Sequence, residues 1–156
     1  MPSNFQAENL VQLNLAYSSI EQLWTRVQNL VSLKEINLSH SEHLATFPDL
    51  SRAKSLEIVN VDFCSSLEEV PLSIRFLHKL TDLNMRYCTS LLRLPSRIKL
   101  RSLKTLNLSG CSNLREFPQL GENITYLNLS ETAIDELPKS FGNFRGLIAL
   151  NLKDFK

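Results

Sequence analysis

The chain has 156 residues, of which 43% are hydrophobic and 21% are charged, and its formal net charge is +1 at pH 7. This composition is typical of a folded domain rather than a disordered chain, and the charge gives no reason to expect nucleic acid or an anionic membrane as partner. No apolar run reaches the roughly 18 to 20 residues that span a bilayer, and the opening residues MPSNFQAENL lack the basic and apolar regions of a signal peptide.

A repeated phrase of the form LxxLxL organises the chain. Its seven copies start at Leu10, Leu33, Leu56, Leu80, Leu103, Ile124 and Leu147. The intervals of 23, 23, 24, 23, 21 and 23 residues lie in the range of leucine-rich repeats, roughly 20 to 29. Because side chains alternate faces in a strand, the two apolar residues of each LxL point inward together. We predict an α/β leucine-rich-repeat solenoid with a parallel sheet on its concave face.

The second half of each repeat is predicted to return along the convex side as short helical or irregular segments. Its apolar residues come in pairs three apart: Ile20 and Leu23, Leu44 and Phe47, Leu67 and Val70, Leu91 and Leu94, Leu114 and Phe117, and Ile134 and Leu137. Proline follows all but the first pair, where Trp24 stands instead, at Pro48, Pro71, Pro95, Pro118 and Pro138. Proline suits a segment without a sheet ladder, because it has no N–H. The stretches PLSIRFLHKL and PKSFGNFRGL have room for a turn or two of 3₁₀- or α-helix.

Three cysteines, Cys64, Cys88 and Cys111, share one repeat position, which serine or threonine fills in other repeats. All of these residue types donate hydrogen bonds, so the exchange predicts a small buried donor to the backbone. An odd number of cysteines without CxxC spacing favours reduced thiols in an intracellular compartment. No histidine is placed to complete a metal site with them, and we expect neither a metal nor a catalytic cysteine.

Asparagine stands at the centre of every LxL, where strand parity directs it outward onto the concave face. These residues are Asn14, Asn37, Asn60, Asn84, Asn107, Asn128 and Asn151. Stacked at strand spacing, their amides are expected to hydrogen-bond one to the next. A recognition column should vary from turn to turn, so this constant column is interpreted as structural. Three of these asparagines, Asn37, Asn107 and Asn128, also begin an N-x-S glycosylation sequon. These sequons arise only because serine follows the repeated LNL, so we do not interpret them as glycosylation sites.

The variable concave positions are the candidate protein-binding site. The residue just after each strand is aromatic in four successive repeats, at Tyr17, His40, Phe63 and Tyr87. Large rigid side chains of this kind are favoured at interface hot spots. Further candidates beside this stripe are Glu35, Asp62, Asp82, Arg86 and Tyr126. The alternative is that the rings only cover the margin of the sheet.

No nucleophile or acid–base constellation appears in the sequence, so we expect no enzymatic activity, no catalytic residue and no cofactor. The densest basic cluster comprises Arg93, Arg97, Lys99, Arg101 and Lys104. Most of it falls on the convex return and lacks interleaved aromatic residues, which favours a solvated face over nucleic-acid binding.

The pattern LxxLxLxxCxxLxxLP resembles the repeats of plant intracellular immune receptors, in particular those with a Toll/interleukin-receptor-like domain and a nucleotide-binding domain. The stretches NLVQLNLAYSSIEQLW, from Asn9 to Trp24, and FPQLGENITYLNLSETAIDELP, from Phe117 to Pro138, are similar to that class. The chain has neither a P-loop nor the Toll-like domain. Only the recognition and autoinhibition roles of the repeat region are therefore implied.

The resemblance implies a protein-recognition or autoinhibitory segment of a disease resistance receptor that acts in the defence response. Its partner would be a protein, either a pathogen effector or another domain of the same receptor, in the cytoplasm or the nucleus. Because the repeats end on a half-repeat without a capping unit, residues 1–156 are expected to be six full repeats and a partial seventh of a larger receptor. The alternative is a stand-alone leucine-rich-repeat scaffold or adaptor protein.

Overall fold

A computed structural model describes residues 5–155, and its main feature is a seven-stranded parallel sheet. Its strands, of three residues each, are β1 (Gln12–Asn14), β2 (Glu35–Asn37), β3 (Ile58–Asn60), β4 (Asp82–Asn84), β6 (Thr105–Asn107), β8 (Tyr126–Asn128) and β9 (Ala149–Asn151). Each strand pairs with the strand of the next repeat, and the asparagines of all seven stand in one register column. The predicted solenoid and its repeat register are confirmed. Of the predicted segment 1–156, residues 1–4 and 156 lie outside the described part.

The core combines the apolar side chains that the LxL of each inner repeat directs inward with apolar residues of the convex returns, such as Leu67 and Leu91. Leu83, Leu106 and Leu108, which lie in the middle of the solenoid, are at most 1% exposed. The residues of the next strands repeat this pattern, since Leu127 and Leu129 are also buried. A single short strand cannot shield such side chains, so the core exists only because successive turns stack.

The convex returns contain two short 3₁₀-helices, Leu72–Phe76 and Lys139–Asn143, as the stretches after Pro71 and Pro138 predict. Both prolines have extended backbone, which suits a residue whose ring fixes φ and which has no N–H to donate. Within residues 5–155 no helix has the length and apolar character needed to cross a membrane.

A small two-stranded parallel ladder also lies on the convex side, where the sequence predicts no sheet ladder. Its strands are β5 (Arg97–Ile98) and β7 (Gln119–Leu120), and the N–H of Gln119 donates to the Ser96 carbonyl at 2.8 Å. The prolines of these two repeats come just before the strands. Their missing N–H groups therefore do not interrupt the ladder.

Candidate protein-binding site

A residue with left-handed backbone follows every strand of the main sheet, three positions after its asparagine. The φ values are 59° at Tyr17, 58° at His40, 59° at Phe63, 54° at Tyr87, 74° at Gly110, 57° at Glu131 and 56° at Asp154. This conformation favours glycine, and for most other residue types it costs about 1 to 3 kcal/mol. The local sequence indicates it at only three of the seven turns, because Gly110, His40 and Asp154 are residue types enriched at positive φ, whereas Tyr, Phe and Glu are not.

The constant asparagines hold these turns, and they do so differently from the expected amide ladder. In six repeats the Asn Oδ1 accepts the backbone N–H two residues further on, at 2.9 to 3.1 Å. No asparagine of the column bonds to the next within residues 5–155. The prediction of a ladder is therefore wrong, although the structural role is retained. A short asparagine side chain readily accepts the backbone N–H two residues further on, which competes with a bond to the next amide.

The four aromatic rings at the left-handed positions form a continuous stack, as the repeat register predicts. Ring centroids lie 4.4 Å apart for Tyr17 and His40, 4.4 Å for His40 and Phe63, and 4.9 Å for Phe63 and Tyr87. The interplanar angles of 4°, 9° and 16° show that the rings are nearly parallel. The faces between the rings therefore cover one another, and the ring edges are turned to solvent. We call these four residues the aromatic stack.

Two further candidates, Asp62 and Arg86, form one unit beside the aromatic stack. Asp62 is only 6% exposed, and its Oδ1 and Oδ2 accept the backbone N–H and the Nε–H of Arg86, each at 2.9 Å. The guanidinium carbon of Arg86 lies 5.8 Å from the Phe63 ring centroid. Asp62 is thus a buried group that orients Arg86 and is not itself a contact surface. The sequence does contain a signal for this ion pair, because Asp62 and Arg86 carry opposite charges at the same position of consecutive repeats.

The remaining candidates lie apart from the aromatic stack, at the first position of their strands. Glu35 accepts a hydrogen bond from Gln12 Nε2 at 3.1 Å, and Asp82 Oδ2 accepts one from Thr81 Oγ1 at 2.6 Å. Tyr126 is 48% exposed and borders a shallow hollow of about 340 Å³ over β6, β8 and β9. The predicted site therefore divides into the aromatic stack with Arg86 and a separate column on the sheet face.

The cysteines are buried donors to the preceding repeat, as the exchange with serine predicts. Their Sγ atoms lie 3.2 Å (Cys64), 3.2 Å (Cys88) and 3.0 Å (Cys111) from backbone carbonyl oxygens. Burial raises the pKa of the Cys64 thiol to about 11 and that of Cys111 to about 12, and it also raises the pKa of Cys88. Among the residues that the structure describes, no three His, Cys, Asp or Glu side chains are grouped to hold a metal ion.

The Leucine Rich Repeat family matches residues 9–28, 102–122 and 123–144. The chain is also similar along its whole length to Arabidopsis thaliana proteins. It is 40% identical over 156 residues to Disease resistance protein RPS4B, covering 100% of the chain and 11% of that protein. It is 48% identical over 153 residues to SUPPRESSOR OF npr1-1, CONSTITUTIVE 1, covering 98% of the chain and 11% of that protein. For Disease resistance protein LAZ5 the identity is 46% over 153 residues, covering 98% of the chain and 13% of that protein. The chain thus spans only about an eighth of these relatives.

Proposed function

Since this chain belongs to the leucine-rich-repeat proteins and is homologous to the repeat region of plant disease resistance proteins, we propose that it binds a protein through its concave side. The partner is a pathogen effector or another domain of the same receptor, so that the segment either recognises the pathogen or keeps the receptor inactive. The contact surface is the aromatic stack together with Arg86.

The observation that carries this proposal is that the fold does not require rings at the left-handed positions. Gly110, Glu131 and Asp154 close equivalent turns without an aromatic side chain. Any residue other than glycine at these turns accepts about 1 to 3 kcal/mol of backbone strain, whereas a stacked aromatic pair contributes only about 0.5 to 1.5 kcal/mol beyond its buried area. Stacking alone is therefore a weak reason to keep four rings in a row, and an aromatic surface for a partner is a better one.

The proposed role is non-catalytic and belongs to the cytoplasm or the nucleus. Three free cysteines support a reducing compartment. Because burial raises the pKa of all three thiols, they are protonated at neutral pH and are poor nucleophiles. Glu35 and Asp82 on the sheet face, and the buried Asp62, all accept hydrogen bonds from neighbouring side chains.

The test removes two rings without straining the turn. Asparagine tolerates left-handed backbone better than alanine does, so we choose the double variant Phe63→Asn/Tyr87→Asn. The matched control is Glu131→Asn, which makes the same change at an equivalent turn outside the aromatic stack. The measurement is the affinity of the full chain for the separately expressed remaining domains of its receptor and for candidate effectors, with circular dichroism and urea unfolding in parallel.

We expect the double variant to lose affinity by about tenfold or more while it remains folded, and the control to bind normally. Unchanged affinity in a folded double variant would show that the rings only cover the sheet margin. Loss of folding would make them core residues, and either result would refute the proposed surface.

A further inference from the structure

One repeat has the same left-handed turn as the others but a different side chain accepts the backbone N–H there. In the fourth repeat the N–H of Arg86 donates to Asp62 Oδ1 of the preceding repeat at 2.9 Å, in place of the asparagine of its own strand. Asn84 consequently has neither its side-chain oxygen nor its nitrogen hydrogen-bonded to any residue in the described range 5–155. Asn84 is the last residue of β4, and Arg86 follows two positions later in the adjoining turn. The unpaired amide is therefore close to the arginine along the chain.

The guanidinium of Arg86 is held in place yet retains most of its hydrogen-bonding capacity. Of its five N–H donors only Nε–H is used, by Asp62 Oδ2 at 2.9 Å. Neither Nη group has a hydrogen-bond partner among the residues described, and the side chain is 46% exposed. The buried carboxylate on one side and the Phe63 ring at 5.8 Å restrict its rotation. Two parallel Nη groups match the two oxygens of a carboxylate.

Arg93 shows that this arrangement is not a general property of arginines that bridge adjacent repeats. Its Nε and Nη2 both donate to Glu69 Oε2, at 3.2 and 2.9 Å. The side chains of this pair are 74% and 60% exposed, whereas Asp62 is buried. An exposed pair of this kind contributes little and is held loosely. Arg93 therefore provides a matched internal control for Arg86.

We propose that Arg86 binds the carboxylate of an Asp or Glu side chain of the protein partner. Asn84 supplies a second polar contact, and the edges of Phe63 and Tyr87 form the apolar rim of the site. Asp62 acts as a positioning residue, because its buried carboxylate fixes the guanidinium before the partner arrives. Preorganisation favours binding, since little side-chain freedom remains to be lost. This inference rests on the proposed function, because it assigns a ligand chemistry to one part of that surface.

The first test uses a defined probe and the unmodified chain. The N-acetylated, C-amidated peptide Trp-Glu-Gly is titrated into the chain while the arginine Nε–H and aromatic ring signals are followed by NMR, and Trp-Gln-Gly is the neutral control. We expect a saturable shift at Arg86 and at the rings of Phe63 and Tyr87 with the acidic peptide alone. Equal shifts at Arg93, equal shifts with the neutral peptide, or no saturable shift at Arg86 would overturn the proposal.

The second test compares Arg86→Lys with Arg93→Lys. Lysine keeps the charge but loses the planar fork, so Arg86→Lys should weaken binding of the acidic peptide by about tenfold, and Arg93→Lys should leave it unchanged. If the two lysine variants bind the acidic peptide equally well, the proposal is wrong. If either variant fails to fold, the titration of the unmodified chain is the test.

If Phe63→Asn/Tyr87→Asn abolishes partner binding while Arg86→Lys preserves it, this inference fails and the proposed function stands. If neither variant affects partner binding, both fail.

Discussion

The ring of Tyr87 lies directly against the backbone of Gly110, so close that a Cβ on Gly110 would stand 2.5 Å from Tyr87 Cδ1. Among residues 5–155, Gly110 is also the only glycine at a left-handed position, with φ of 74°. The aromatic stack therefore ends here for a physical reason, because the outer face of Tyr87 is covered by the backbone of the next repeat. At the other end Tyr17 is 76% exposed, so the aromatic stack is closed on one side and open on the other.

Replacing Gly110 with alanine should displace the Tyr87 ring. The added carbon meets three atoms of that ring at 2.5 to 2.9 Å, and alanine is strained at positive φ. We expect a loss of about 1 to 3 kcal/mol in the free energy of unfolding, together with a changed near-ultraviolet circular dichroism signal. Urea unfolding measures the first effect. The control is Gly142→Ala, since a Cβ there has no atom within 4 Å, and equal losses in both variants would contradict the packing described.

Truncation of Leu106 should reveal the repeat register through stability. Its side chain is 1% exposed, so Leu106→Ala leaves a cavity and should cost about 2 to 5 kcal/mol. Lys104 is exposed and lies two positions earlier, so Lys104→Ala should change stability by no more than about 0.5 kcal/mol. Chemical unfolding of both variants measures the two changes in the free energy of unfolding. Comparable effects at the two positions would mean that the repeat register, which buries Leu106 and exposes Lys104, is wrong.

The buried thiols should make the protein less stable in alkaline solution. Burial raises the pKa of Cys111 from 9.0 to about 12, so the unfolded chain releases this proton at lower pH than the folded chain. The stabilisation is complete below pH 9 and is lost as pH rises toward 12, by about 1.4 kcal/mol per pH unit for each such thiol. Urea unfolding at several alkaline pH values should show this decline.

Cys111→Ser provides the control for that pH dependence. Serine fills the same position at Ser41 and donates to a carbonyl there at 3.2 Å, so the variant should fold. Because a hydroxyl does not titrate in this range, the decline in stability should become shallower. An unaltered slope would show that the Cys111 thiol does not contribute to it.

Much of the solenoid is predictable because its contacts repeat with the period of the sequence. The inward pair of each LxL, the in-register asparagines and the 3₁₀-helices after Pro71 and Pro138 all follow from spacing and parity. The turn at Phe63 does not, because a hydrogen bond to the next repeat holds it in addition to the local bond that Asn60 accepts. The N–H of Phe63 donates to the Arg86 carbonyl at 2.7 Å, a contact between residues far apart in sequence.

The candidate site can be predicted from the sequence only in part, for a related reason. Strand parity places Tyr17, His40, Phe63 and Tyr87 in one row, which the ring distances confirm. Parity does not reveal that Asp62 is buried, because the same repeat position is buried at Ser109 and Ser130 but exposed at Lys153.

When residues 1–156 are produced alone, the last strand of the described sheet, β9, should promote self-association. Among residues 5–155 it pairs only with β8, so one edge of its backbone has no partner strand. Ile148 is 71% exposed, and Leu150 is 40% exposed although Leu127, its partner on β8, is 2% exposed. Open strand edges and uncovered apolar side chains of this kind favour association. We therefore expect sedimentation velocity to show larger species as the concentration of the chain increases.

Ile148→Lys should reduce this association, because a charge beside the edge opposes pairing with a second chain. Thr125→Lys is the matched control, since Thr125 holds the same repeat position one strand away from the edge. If association uses the β9 edge, the first variant should become monomeric over the tested range while the second behaves as the unmodified chain. A chain that is monomeric at every concentration, or equal effects of the two lysines, would show that the β9 edge is not the contact.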